Sequence, residues 1–182
     1  MIDFGKFRIE CCNGVYCPSD DSFLLGDIVE EYSFGKVLDL GTGSGYLGII
    51  AALKGDDVTF ADIDTNALEC ARQNVALNHL EGKFVETDLF SGIKGKFNTI
   101  IFNPPYLLSD KLVDKALDGG FDGRQVIDKF LSSVGNHLLT ENQVLLLESS
   151  LNSYEKDAKE LSAEVFEKNL FYEKLAVLKF SL

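Results

Sequence analysis

The chain has 182 residues, 46% hydrophobic and 25% charged, which is enough for a single domain over 1–182 and too balanced for a disordered or fibrous protein. Seventeen basic against 29 acidic residues give a net charge of −12, which disfavours nucleic acid as a partner, because such binding rests on basic groups displacing counterions. No apolar run reaches the roughly 18 residues of a membrane span, and the stretch from Met1 to Glu10 is not a basic-then-apolar leader, so no membrane contact and a cytoplasmic location are expected.

In chain order, the N-terminal region carries Cys11, Cys12 and Cys17, with Cys70 further on. Their spacing fits no common zinc pattern, and His79 and His137 are distant, so no metal is expected and the cysteines are predicted to be free packing thiols. "KVLDL" (36–40) reads as a buried strand and "YLGIIAALKG" (46–55) as a helix ending at Gly55. "DVTFADI" (57–63) is a second strand, followed by a helix with Thr65 as its N-cap and Ala67, Leu68, Ala71, Val75 and Ala76 on one face. "KFVE" (83–86) and "FNTIIF" (97–102) are the next strands, then a helix over 124–139 and a strand over 143–149. A charged helix near 153–168 and a strand over 174–182 complete the pattern. Strands alternating with helices predict an α/β, mostly parallel sheet with helices on both faces. The loops at 41–45, 62–66, 87–95 and 103–106 should then gather at its carboxyl edge, where such sheets bind ligands.

The first of these loops, "LDLGTGSGYLG", contains Gly43-Ser44-Gly45-Tyr46-Leu47-Gly48, a literal match to the dinucleotide pattern, and Asp62 and Asp64 follow at the distance of a ribose-binding acid. A nicotinamide enzyme is one reading, and a tight ligand-free turn is the bland one. Two features favour a nucleoside linked to a cationic amino acid. The glycines start directly after the strand with Asp39 two residues before them, placing an acid where a sulfonium or amino group would sit, and nothing downstream suggests hydride chemistry.

"FNPPY" ends the strand at 102 with two of the chain's three prolines. Pro104 and Pro105 fix the backbone and keep Asn103 extended, so that the Asn103 side-chain oxygen and the Pro104 carbonyl can converge as two acceptors beside the flat wall of Tyr106. A structural turn with Tyr106 capping the core is the alternative. Two acceptors and a ring make a slot for a planar NH2 group, as carried by adenine, cytosine or glutamine. Such a nitrogen is a weak nucleophile, and accepting its N–H bonds while holding it near an activated methyl is the assistance it needs. A lysine ammonium has no lone pair to donate and fits less well.

"VLDLGTGSG", "ADID", "TDLF" and "FNPPY" in this order resemble the class I S-adenosylmethionine-dependent methyltransferases, and more narrowly the HemK-like protein glutamine methyltransferases of the archaeal and eukaryotic branch. "VYCPSDDSFLL" (15–25) and "GGFDGRQVIDKFL" (119–131) are similar to two further segments of that branch, with Asp20 in place of its glutamate. The resemblance implies a Rossmann-like seven-stranded sheet and S-adenosylmethionine as cofactor. It assigns Gly41, Thr42, Gly43 and Gly45 to the methionine and ribose part, Asp62 and Ile63 to the ribose, and Asp88 and Leu89 to the adenine. Asn103, Pro104, Pro105 and Tyr106 would form the acceptor slot, with Asn103 also beside the cofactor. Residues 1–35 would cover the site, with Asp20, Asp21 and Ser22 closing over the methionine end or merely capping a helix. Tyr16 reads as packing, Arg124 is left without a catalytic role, and the segment 126–131 reads as core.

The resemblance further implies a class 1 translation release factor as substrate, methylated on its Gly-Gly-Gln loop. It also implies a small zinc-binding Trm112-like activator, pairing with the strand "GKFVE" at the sheet edge in place of an appended recognition domain. DNA adenine methylation, protein lysine methylation and a catalytically silent cofactor-binding scaffold are the rival functions.

Overall fold

The computed structural model describes residues 1–105 and 124–182. Its centre is a seven-stranded sheet made of β3 (Lys36–Leu40), β4 (Asp57–Asp62), β5 (Lys83–Glu86), β6 (Phe97–Phe102), β7 (Leu138–Ser149), β8 (Glu164–Asn169) and β9 (Lys174–Phe180). The strand order is β5-β4-β3-β6-β7-β9-β8, parallel from β5 to β7, with β9 antiparallel to both its neighbours. A short ribbon, β1 (Ile2–Asp3) and β2 (Arg8–Ile9), lies apart from the sheet. This is the expected α/β sheet, and its strand order reverses between β3 and β6, where a crevice opens at the carboxyl edge.

The central strands are apolar on both faces because both faces are covered. Alternate residues of β7 enter different cores: Leu145 and Leu147 join one, Val144 and Leu146 the other. The first core is closed by α1 (Asp20–Tyr32), α2 (Tyr46–Leu53) and α3 (Thr65–Leu77) through Leu25, Val29, Ile49 and Val75. The second is closed by α4 (Gln125–Ser133) and α5 (Tyr154–Glu160) through Ile127, Phe130 and Tyr154. The expected core role of 126–131 thus holds for Ile127 and Phe130, both fully buried.

Several expected boundaries move. The N-cap of α3 is Asp64, not Thr65: its carboxylate accepts the Asn66 N–H at 2.8 Å. The helix expected to reach 139 stops at Ser133, a 3-10 turn carries Val134–His137, and β7 begins at Leu138. The charged helix expected over 153–168 is overturned beyond Glu160. Ala163 donates its N–H to the Ala158 carbonyl, Ser162 turns through φ 51, and 164–169 forms β8. Charged residues dominate that stretch because β8 is an edge strand, where Glu164, Glu167 and Lys168 discourage further pairing.

The N-terminal segment is held by an asparagine pair one turn apart on α3. Asn74 accepts the Glu10 N–H (2.8 Å) and donates to the carbonyls of Glu10 (3.0 Å) and Ser44 (2.9 Å), while Asn78 accepts from Arg8 N–H and donates to the Arg8 carbonyl. The two amides thus act as a strand edge for β2, and Asn74, fully buried, also grips the glycine loop. Asn74→Ala leaves three backbone groups without partners and should cost about 2–4 kcal/mol in urea unfolding, with little change expected from Gln73→Ala on the exposed face.

The cysteines depart from expectation. Cys11 is bonded to Cys17 and Cys12 to Cys70, with Cα separations of 5.4 and 6.0 Å, and no thiol is free. Spacing along the chain does not reveal this, because the segment after β2 folds back across α3 and delivers Cys12 to Cys70. Among the described residues no group of His, Cys, Asp and Glu is arranged for a metal, and no helix is long and apolar enough to cross a membrane.

One ionic cluster ties α4 and α5 to the sheet. Arg124 reaches Asp157 at 2.7 Å, Asp128 at 2.8 Å, the Asn152 carbonyl at 2.6 Å and the fully buried Glu148 at 3.6 Å. Burial and then the nearby Asp157 charge push the Glu148 carboxyl up to about 9, against the pull of Arg124. The folded chain therefore holds a proton that the unfolded chain releases above its ordinary value. The stability this proton contributes is complete below pH 4 to 5 and is lost as pH rises through about 9. Glu148→Gln imitates the protonated acid, so the variant should outlast the native chain in urea at pH 8, by on the order of 2 kcal/mol, and the two should converge near pH 5.

Candidate functional site

Four loops at the carboxyl edge enclose a cavity of about 610 Å³, within the range of sites that hold a nucleoside-sized molecule. Gly41 to Ser44 leave β3, Asp62 to Asp64 leave β4, Thr87 to Leu89 leave β5, and Asn103 and Pro105 leave β6, and all line it. Gly14, Val15, Tyr16, Pro18 and Ser22 add a wall from the N-terminal segment, and Val126 and Lys129 of α4 add another.

The glycine loop is shaped from beneath by Asp39. This residue is fully buried, and its Oδ2 accepts the Thr42 hydroxyl at 2.5 Å and the Gly48 N–H at 2.9 Å. Burial pushes its carboxyl up to about 7, although both bonds oppose the shift. Asp39 is therefore not the acid facing a cationic group that its position suggests: it braces the loop against α2 and does not line the cavity. Gly43, at φ 53, turns its N–H to Asp62 Oδ2 at 2.9 Å. Gly45, at φ 84, is left-handed as well and has a second reason to be glycine. A Cβ there would stand 3.2 Å from Ala71 of α3, so it permits helix packing and lies outside the cavity lining.

Asp62 faces the cavity and binds Gly43 N–H through one oxygen and Asp64 N–H through the other, both at 2.9 Å. Burial raises its pKa, and the backbone bonds oppose that rise. Each oxygen keeps a lone pair for a ligand hydroxyl. Ile63 is 66% exposed beside it and presents an apolar face to the cavity. Leu89 sits at φ 47, a left-handed conformation that a branched residue adopts only when its surroundings enforce it. Thr87 does so by donating its hydroxyl to the Leu89 carbonyl and accepting the Gly92 N–H. Asp88, at the same rim, is exposed.

At the other end of the cavity Asn103 is set by a residue of α1. Its Nδ2 donates to Asp21 Oδ2 at 3.1 Å, which aims Oδ1 away from Asp21, and Oδ1 is buried without a hydrogen-bond partner among the described residues. Asp21 is itself almost fully buried. Its other oxygen accepts from the Ser22 N–H (2.6 Å), the Ser22 hydroxyl (3.1 Å) and the Tyr16 hydroxyl (3.0 Å). Tyr16 is thus a contact residue, not mere packing, and burial beside Asp21 pushes its phenol up to about 12. Asp21 holds Asn103 and does not line the cavity, whereas Ser22 does. Asp20, exposed, turns outward to Lys168 at 2.8 Å. Pro104 is buried behind the rim, and Tyr106 and Gly119 to Gly123 lie outside the described residues.

An acid with a free lone pair on each oxygen and an exposed apolar face next to it fit a nucleoside, and the Asn103 oxygen, without a partner among the described residues, stands at the far end of the cavity. With the strand order, they define a Rossmann-like S-adenosylmethionine-dependent methyltransferase. Comparison with known proteins agrees: residues 8–166 match the methyltransferase small domain, and the chain belongs to that family. A Methanocaldococcus jannaschii protein named as a protein N5-glutamine methyltransferase is 36% identical over 158 residues, spanning 83% of this chain and 80% of its own. The release factor glutamine methyltransferase of Deinococcus radiodurans is 39% identical over 123 residues, 61% of this chain but 44% of its own. Among solved structures, the E. cuniculi Mtq2–Trm112 complex, described as responsible for methylating the eRF1 termination factor, is similar at 26% identity. Its TM-score is 0.70, with 91% of this chain and 97% of that one covered.

Proposed function

We propose that this methyltransferase acts on the side-chain amide of a protein glutamine, in the Gly-Gly-Gln loop of a class 1 release factor, in the cytoplasm. The observation that carries the proposal is the Asn103 amide, held through its nitrogen by Asp21 with its oxygen buried and without a partner among the described residues. A planar NH2 group presented there donates one N–H to Asn103 Oδ1 and, in this proposal, the other to the Pro104 carbonyl. S-adenosylmethionine, when bound, supplies an electrophilic methyl on a sulfonium.

The chain's own residues do the rest. Asp21 keeps the Asn103 amide from flipping, and its charge behind the amide strengthens the oxygen as an acceptor. Positive charge developing on the amide nitrogen as it is methylated would be stabilised by the Asn103 oxygen and by the Asp21 carboxylate behind it. The nitrogen, acidified by alkylation, then releases a proton to water. Asp62 would hold the ribose hydroxyls, Ile63 and Leu89 would cover the adenine with Asp88 at its rim, and residues 14–22 would cover the methionine end.

A small zinc-binding activator of the Trm112 kind is proposed on the edge of β5, which among the described residues pairs with β4 alone. Its test is transfer of labelled methyl with and without that activator, on native release factor, on its Gln→Ala loop variant and on adenine-containing DNA. Label on the native factor alone supports the proposal, and label on DNA overturns it. Full activity of the isolated chain would remove the activator.

A further inference from the structure

A corner of the same sheet edge carries an aromatic pair that the transfer chemistry leaves unused. The turn from β8 to β9 ends in Phe171 and Tyr172, each 90% exposed, with ring centres 4.7 Å apart and edges to faces. Leu151, 44% exposed, lies in the turn after β7, and Ser150 Oγ accepts the Lys174 N–H at 3.0 Å, fastening that turn to the hairpin. Large rings left almost wholly in water mark contact surfaces more often than free ones.

Register fixes where this corner stands. Phe102 pairs with Leu146, Leu146 with Leu178, and Leu178 with Val165. Three residues further, beyond the end of β6, Ser149, Leu175 and Lys168 still pair, and the aromatic turn follows them at the carboxyl edge, the edge from which Asn103 leaves β6. Two polar links join the regions: Lys168 holds Asp20, and Asp21 holds Asn103. With strands roughly 4.8 Å apart, β9 and β8 lie about 10–14 Å across the sheet from β6. An extended polypeptide covers that distance in roughly three to four residues.

We infer that Phe171 and Tyr172, with Leu151, dock the polypeptide substrate, gripping an apolar side chain on a basic flank a few residues from the acceptor. This rests on the glutamine reading above. The net charge of −12 favours a basic flank and opposes a second copy of this chain. The activator's proposed strand, β5, is at the opposite end of the sheet, so both can be engaged at once.

The test is the steady-state methylation of intact release factor, activator present, by the Phe171→Ser/Tyr172→Ser variant. Docking predicts KM raised about tenfold or more with kcat within about twofold, and Phe171→Leu/Tyr172→Phe close to native. An unchanged KM, or a loss confined to kcat, overturns the inference. Absence of label on the factor with the native chain would instead overturn the glutamine reading, and docking with it. Unaltered binding of S-adenosylhomocysteine confirms that the variants are folded.

Discussion

Alanine at position 103 is expected to lower kcat by roughly two to three orders of magnitude, the usual consequence of removing one fixed polar group from a developing charge. Cofactor affinity should fall far less, by about tenfold at most, because Asp62 and the glycine loop keep their contacts. The asymmetry follows from the geometry. Among the described residues Asn103 Oδ1 has no partner, so in the proposed reading its bond is made to the acceptor, whereas Nδ2 is already committed to Asp21. Single-turnover transfer beside calorimetric binding of S-adenosylhomocysteine separates the two quantities. A loss divided equally between them would mean that Asn103 mainly holds the cofactor.

Asparagine at position 21 should be nearly as damaging, with kcat down about tenfold to a hundredfold, although Asp21 does not line the cavity. The carboxylate offers only acceptors and so dictates which end of the Asn103 amide faces the slot. An amide at 21 also donates, lets Asn103 flip, and presents an NH2 group where an acceptor is needed. It removes as well the negative charge that, in the proposed reading, stabilises positive charge on the attacking nitrogen. Asp21→Asn should therefore spare cofactor binding and lower kcat. A cofactor affinity reduced as strongly as kcat would return Asp21 to the methionine end, where family resemblance puts it.

What could be read along the chain was whatever local pattern determines. β3, β4, β6 and the second half of β7 are rich in apolar residues because they are buried on both faces, and their order follows from parallel connection. The loops at 41, 62, 87 and 103 were locatable as the carboxyl ends of those strands, and all of them line the cavity. Glu164 to Lys168 reads as helix from sequence because charge on an edge strand looks like charge on a helix face. Residues whose roles depend on distant partners were illegible: Asn74 and Asn78 against Arg8 and Glu10, Cys12 against Cys70, Arg124 against Glu148 and Asp157. Asp39 and Asp62 show the same limit. Both are acids at strand ends, yet one is sealed beneath the loop and the other faces the cavity, and only packing against α2 tells them apart.

The most direct test of the central claim is mass-spectrometric mapping of the methyl group on release factor treated with S-adenosylmethionine, the chain and its activator. Methylation of the side-chain nitrogen of the glutamine in the Gly-Gly-Gln loop, absent with Asn103→Ala, is the predicted result. A methyl on lysine, or an unmodified factor from a chain that still binds the cofactor, would contradict it.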